Sequence, residues 1–240
     1  MKVFVIVQAR MGSSRYPGKI LESIKGKTAL WYIAENLKHC KNIHKVIIAT
    51  TNLNADDKTH LEASKLDYDI FRGDEINVFS RFIGCAEKFE IDSEDLILRL
   101  TADDIFIDPA FLDAIIDVYK STYPKIRFMS NANYPGFPYG FFFEIFDCYS
   151  LLEASKTELT SYDLEHVTPA IKRVCTSNIL NLMITNNYEG INLSLDTKED
   201  KIRIELILEE LANKNETFIP MNFADIIDAY EKVNFKNIRT

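Results

Sequence analysis

Three nearly uninterrupted apolar runs, KVFVIVQA (2–9), KVIIATT (45–51) and DLILRLT (95–101), constrain this chain more than any other feature. Each is rich in valine, isoleucine or leucine and too short for an amphipathic helix, as expected of strands buried on both faces. Helical spacing fills the intervals. In TALWYIAENLKH, Leu30, Ile33, Ala34 and Leu37 fall on one stripe; residues 55–65 read as a helix, 68–71 as a strand, and 76–89 as a helix carrying Val78, Phe82 and Phe89 on one face. The alternation β-α-β-α-β-α-β predicts a parallel sheet with helices on both faces, and in such folds ligands sit outside the carboxyl ends of the strands.

After a helix expected over 109–121 the rhythm changes. Short strands near 126–130 and 141–146, a helical pair covering 148–173, strands near 179–184 and 192–196, and helices 198–211 and 223–233 complete the expectation. No linker rich in Gly, Ser or Pro divides the 240 residues, so a single domain is expected. The segment YPGFPYGFFFEIF (134–146) reads as an excursion covering a site or a partner subunit.

Composition removes several function classes. A net charge of -8 argues against general nucleic-acid binding, which needs a basic face for the phosphate backbone. No apolar run approaches the ~20 residues that span a bilayer, and the start lacks a signal-peptide cleavage pattern, so a cytoplasmic protein without membrane association is expected. Cys40, Cys85, Cys148 and Cys175 are widely spaced and form no CxxC pair, which reads as four reduced thiols.

Against this acidic background the loop after the first strand stands out. VQARMGSSRYPGKIL (7–21) gathers Arg10, Arg15 and Lys19 with Gly12, Gly18, Ser13 and Ser14. It is not a Walker A loop, which has four residues between its glycines and a Ser or Thr after the Lys; here five separate Gly12 from Gly18, and Ile20 follows Lys19. The dinucleotide pattern G-x-G-x-x-G fails as well, because Gly12 has no glycine two residues on. Small residues nevertheless let backbone N–H groups approach phosphate oxygens, and the cations offer charge-assisted hydrogen bonds worth roughly 1.5–3 kcal/mol each. A polyphosphate cradle and a solvated basic loop both fit this composition.

Carboxylates that could complete such a cradle follow another strand. LRLTADDIFIDP places Asp103 and Asp104 at the carboxyl end of the same sheet, and Mg²⁺ is usually held by one or two carboxylates plus substrate phosphates. Asp108 before Pro109 reads instead as a helix N-cap. In LSLDTKEDKIRI, Thr197 and Asp200 form a capping box, leaving Asp196 just before it as a candidate second metal ligand.

The motifs QARMGSSRYPGK, FRGDEINVFSRF, LRLTADDIFIDP, GFFFEIF, LEHVTPAI and LSLDTKED, in this order, resemble the cytidylyltransferase family of spore coat polysaccharide biosynthesis protein F, relatives of the CMP-Kdo and CMP-acylneuraminate synthetases, over roughly residues 3–205. The resemblance implies an α/β nucleotide-diphospho-sugar transferase (Rossmann-like) fold, with a mostly parallel mixed central sheet flanked by helices. It implies Mg²⁺-dependent transfer of CMP from CTP to a sugar-type acceptor with release of pyrophosphate, by a homodimer. Residues 1–121 would form the nucleotide-binding half, and 122–240 the acceptor-binding and dimerisation half. By the same resemblance Ala9, Arg10, Gly12, Ser13, Arg15 and Lys19 would hold the triphosphate, with Arg72, Arg99 and Thr101 lining the nucleotide side. Asp103 and Asp196 would hold Mg²⁺, and Arg10, Lys19 and Asp103 would carry catalysis. Asn131, Glu144, Glu165 and His166 would meet the acceptor or order the site, His166 either as a base or as a structural residue.

The chain departs from the family pattern at two places. Ala102, Asp103, Asp104 and Ile105 stand where the family reads Gly-Asp-Cys-Pro, which leaves open which aspartate binds metal. Phe142 stands where relatives commonly carry an acidic residue, and Phe141, Phe142 and Phe143 either line the site or belong to the core or a dimer interface. Two other classes compete. A glycosyltransferase would typically offer an Asp-x-Asp motif, which adjacent Asp103 and Asp104 do not supply. A non-catalytic nucleotide-binding homologue would fit the altered segment but not the retention of all three loop cations and both candidate metal aspartates.

Overall fold

Both faces of β1 (Val3–Gln8) are buried: Val3, Val5 and Val7 enter one core, Phe4 and Ile6 the other. That is why its sequence is apolar without alternation. The computed structural model describes residues 1–132 and 136–238. From β1 the chain runs through a small hairpin, β2 (Ser23–Ile24) and β3 (Lys27–Thr28), into α1 (Ala29–Leu37), β4 (Lys45–Thr51), α2 (Asp57–Lys65), β5 (Asp69–Gly73), α3 (Val78–Lys88), β6 (Leu96–Thr101) and α4 (Pro109–Thr122). A less regular part follows, with β7 (Phe128–Ser130), β8 (Glu144–Asp147), α5 (Cys148–Ala154), α6 (Ser161–His166), α7 (Thr168–Cys175), β9 (Ile179–Asn181), α8 (Lys198–Lys214) and α9 (Phe223–Ile238).

One seven-stranded sheet has the order β5-β4-β1-β6-β8-β7-β9. Strands β5, β4, β1 and β6 are parallel, β8 is antiparallel to both β6 and β7, and β9 is parallel to β7. From β1 the chain moves outward to β4 and β5 and then returns to β6 on the other side of β1. Strand order therefore reverses between β1 and β6, where the diverging loops leave a crevice at the carboxyl ends. Helices α1, α4, α8 and α9 cover one face, and α3, α5 and α7 the other. The mixed, mostly parallel sheet of a single α/β domain is borne out.

Local signals place the helix starts as expected. Asp108 accepts from Phe111 N at the start of α4, and its second oxygen accepts from Phe223 N, tying α9 to α4. Thr197 and Asp200 form the capping box of α8.

Three expectations are corrected. The helical pair over 148–173 is three helices, because the Thr160–Asp163 capping box starts α6 and Val167, at φ 66°, breaks the chain before α7. No strand forms at 192–196: Leu193 N donates to Tyr139 O and Leu195 N to Asp103 O, so these amides go to loops rather than to a neighbouring strand. The strand near 179–184 ends at Asn181. Of the excursion 134–146, Tyr134 and Pro135 lie outside the described residues. Phe141 and Phe143 belong to the core, packed with Phe137 around Phe111, whereas Phe142 is only partly buried.

All four cysteines are free, and burial pushes the Cys40 and Cys85 thiols up to about 12. Among the described residues no helix is long and apolar enough to cross a membrane. One buried carboxylate makes stability depend on acid. The Arg173 guanidinium, forked onto Asp163 at 2.6 and 2.8 Å, outweighs burial and, with Thr160, holds the Asp163 carboxyl well below the usual carboxylate range. A folded value below the unfolded one contributes stability that is full above pH ~4 and is lost as pH falls through the folded value. Asp163→Asn, which also weakens the α6 cap, is expected to cost about 1 kcal/mol at pH 7. The penalty should shrink in unfolding curves taken below pH 4.

Candidate active site

The loop leaving β1 is irregular because its amides turn inward. Met11 O accepts from both Ser13 N (3.0 Å) and Gly18 N (2.9 Å), folding residues 11–18 back on themselves. Gly18 sits at φ 79°, a conformation that favours glycine, and leads into a short 3-10 turn, Lys19–Leu21. Buried Asp56 anchors the loop from beneath: it accepts from Met11 N at 2.7 Å and from the hydroxyls of Thr51 and Thr59. Arg10 faces Glu75 on the β5–α3 loop at 3.9 Å. A Cβ on Gly12 would lie 3.0 Å from Glu75 Oε1, so a larger residue there would make the Glu75 side chain shift.

Lys19 ties this loop to two carboxylates remote in sequence. Its ammonium donates to Asp103 Oδ2 at 2.6 Å and to Asp196 Oδ1 at 2.8 Å, and Arg15 reaches the same Asp196 oxygen at 2.9 Å. Burial works against charge on Lys19, but the two aspartates outweigh it and hold the ammonium above its usual value. The Leu195 N to Asp103 O bond, 2.9 Å, pins the segment carrying Asp196 beside the end of β6, and Tyr139 Oη donates to Asp196 Oδ2 at 3.4 Å. Between the β1 loop and these aspartates lies a cleft of about 240 Å³ lined by Arg10, Ser13, Arg15, Lys19, Asp103 and Asp196 among others.

A second cavity of about 460 Å³ adjoins it, sharing Thr101 and Asp103. Buried Glu144 organises one wall: it takes Arg99 at 2.5 Å, the Thr168 hydroxyl at 2.8 Å and Lys172 at 3.3 Å. Arg99 also donates to Gln8 Oε1 at 3.2 Å, linking the wall to the end of β1. Tyr139 and Phe142, packed edge to face, also line the cavity. Asp104 accepts from Thr101 Oγ1 at 3.0 Å, and burial together with neighbouring Asp103 pushes its carboxyl up to about 7.

A family model described as Cytidylyltransferase matches residues 4–217. The chain belongs to the cytidylyltransferase family. It is 28% identical to the spore coat polysaccharide biosynthesis protein SpsF of Bacillus subtilis, over 88% of each chain. The structure of a cytidylyltransferase from Leptospira borgpetersenii superposes with a TM-score of 0.83 at 28% identity, covering 99% of this chain and 95% of that one. A CMP:2-keto-3-deoxy-manno-octonic acid synthetase complexed with CTP shares the fold, with a TM-score of 0.66 at 14% identity over 87% of this chain and 99% of that one.

In this cytidylyltransferase the structure gathers Arg10, Gly12, Ser13, Arg15, Lys19, Thr101, Asp103 and Asp196 around the smaller cleft, with Ala9 buried at the base of the loop. Arg99, Glu144 and His166 line the larger cavity, His166 exposed and packed against Tyr162 with ring centroids 4.3 Å apart. Three expected site residues lie elsewhere. Arg72 clamps the β4–α2 loop through Thr51 O, Leu53 O and Asp57, away from both cavities. Asn131 is fully buried and uses its amide to hold Phe141 O and Phe143 N, shaping the chain behind the cavity instead of facing it. Glu165 is exposed on α6 and lines neither cavity. Sequence patterns had pointed to no role for Asp56, Glu75, Tyr139, Thr168 or Lys172. Glu75 and Thr168 lie inside motifs of the resemblance, whereas Asp56 and Lys172 carry no local signal.

The donors present fit a divalent cation that shares its coordination with substrate. Among the described residues no three His, Cys, Asp or Glu side chains converge as a ready-made metal cage. Two carboxylates within reach of one point beside a phosphate-sized cleft are what Mg²⁺ uses when substrate phosphates supply the remaining ligands.

Proposed function

We propose that this cytidylyltransferase is Mg²⁺-dependent and transfers CMP from CTP to an anionic sugar-type acceptor, releasing pyrophosphate, in the synthesis of surface polysaccharide or glycan precursors. The observation that carries it is the joining of the two cavities at Thr101 and Asp103, one lined by loop cations and the other by the Arg99–Glu144–Lys172 wall. Arg10, Arg15, Lys19 and Ser13 bind the triphosphate, with the α-phosphate toward the junction. The larger cavity, within the size range of small-molecule sites, holds the acceptor between the charged wall and the apolar pair Tyr139 and Phe142.

The acceptor oxygen attacks the α-phosphorus in line as the bond to the bridging oxygen of pyrophosphate breaks, and the loop cations meet the charge that grows on the leaving group. Asp103 and Asp196 would hold Mg²⁺, which would supply additional positive charge at the phosphates. No covalent enzyme intermediate is needed, and none of the serines or cysteines is assigned as a nucleophile. We also infer that the enzyme works in the cytoplasm and, from the family resemblance, as a homodimer.

Thermal unfolding with CTP, UTP, ATP and GTP, each with and without Mg²⁺, tests the nucleotide half without knowing the acceptor. CTP with Mg²⁺ at a hundred times its Kd should add about 2.7 kcal/mol, or roughly 5–10 °C, and Lys19→Ala should abolish the shift. Equal shifts with all four nucleotides would refute the cytosine preference, and no shift with any would refute the triphosphate cradle. Pyrophosphate release on adding sugar acids then tests the transfer.

A further inference from the structure

The Lys19 ammonium bridges the two carboxylates that would hold a divalent cation. It is 8% exposed and within 2.8 Å of both Asp103 and Asp196. Arg15, 2.9 Å from Asp196, brings a second positive charge. Two carboxylates are thus matched by two cations, so the pair offers little net charge to draw a metal from solution. An ammonium held between the carboxylates repels a divalent cation approaching them, so Lys19 lowers the affinity of the pair for metal.

On the reading that Asp103 and Asp196 hold the catalytic cation, we infer that Lys19 is its placeholder: it keeps the carboxylate pair closed to divalent metal until a triphosphate draws the ammonium away. Lys19 and Arg15 both line the 240 Å³ cleft beside the pair, so a triphosphate there competes directly with the aspartates for the same two cations. Moving Lys19 onto phosphate oxygens exchanges one charge-assisted contact for another and uncovers both carboxylates at once. Nucleotide and metal then bind with positive coupling, each raising the affinity for the other by the same factor. Free Mg²⁺ is thereby kept out of an empty site, and the pair accepts a cation only when there are phosphates to share it.

Water-proton relaxation enhancement by Mn²⁺ measures this directly, since it distinguishes protein-bound Mn²⁺ from Mn²⁺ in small complexes and needs no turnover. The unaltered protein should bind Mn²⁺ weakly alone and tightly with CTP. Lys19→Met should tighten Mn²⁺ binding without nucleotide by at least about tenfold. Adding Asp196→Asn to Lys19→Met should remove the gain. Lys19→Gln, which keeps a donor for one carboxylate, serves if Lys19→Met does not fold, and should show a smaller gain in the same direction. If the unaltered protein forms the Mn²⁺–CTP complex but the Lys19 variants bind Mn²⁺ no more tightly than it does, the placeholder role is wrong while the metal site stands. If no protein shows enhancement, with or without CTP, the metal assignment itself falls and the placeholder role with it.

Discussion

Asp103→Asn is expected to lower turnover by at least about 100-fold, the scale of losing one preorganised electrostatic group at a reacting centre. Asp103 leaves the end of β6 where strand order reverses, and its backbone carbonyl is already committed to Leu195 N. Its carboxylate is therefore held at the junction of the two cavities and faces Lys19 across 2.6 Å. An amide preserves shape and removes charge, and Asp196 still pairs the Lys19 ammonium, so the fold should be retained while the capacity to hold a cation is lost. Asp104→Asn should have the smaller effect, because Asp104 lines the larger cavity and not the cleft beside the β1 loop and is bonded to Thr101. Pyrophosphate release with the best acceptor of a sugar-acid panel measures both. Near-normal turnover in Asp103→Asn would move the metal ligand elsewhere, and the larger loss in Asp104→Asn would exchange the two roles.

The second large effect is on stability. Glu144 is 5% exposed and is the shared partner of Arg99, Lys172 and the Thr168 hydroxyl. A buried ion pair adds little over an apolar replacement, but removing one member strands the other charge, which typically costs 3–5 kcal/mol. Arg99, largely buried beneath the same wall, would be left with Gln8 Oε1 as its remaining side-chain partner among the described residues. Glu144→Gln should therefore lose about 3 kcal/mol, roughly 6–12 °C in Tm for a chain of this size. Denaturant unfolding and calorimetry measure it; a loss below about 1 kcal/mol would mean that the wall is solvated and that Arg99 and Lys172 do not depend on Glu144 for their place.

How much was legible in the sequence differs between the halves of the chain. Strands β1, β4 and β6 announce themselves because burial on both faces makes most of their residues apolar, and helices α4 and α8 because Asp108 with Pro109 and Thr197 with Asp200 satisfy their first amides locally. Leu193 and Leu195 also look like a strand, since apolar and polar residues alternate there. Whether their amides meet a neighbouring strand or the loop carbonyls of Tyr139 and Asp103 is a matter of what lies beside them. Arg72 shows the same limit at the site: a basic residue inside a family motif was expected on the nucleotide side, and its guanidinium donates to the carbonyls of Thr51 and Leu53. Asn131 likewise spends its amide on two backbone groups of a buried turn.

The sequence by itself determined the α/β alternation, the cationic loop after the first strand and the family motifs that name the chemistry. These depend on residues close together in the chain, where hydrophobic period, capping and glycine placement act locally. Only the tertiary structure decided that Lys19, Asp103 and Asp196 share one ion-pair cluster, although 177 residues separate Lys19 from Asp196. It also decided that Phe142 lines the larger cavity while Phe141 and Phe143 enter the core. Such contacts follow from how the strand order reverses at β1 and β6 and from which backbone groups are left to pair across that crevice, and both depend on the whole folded sheet.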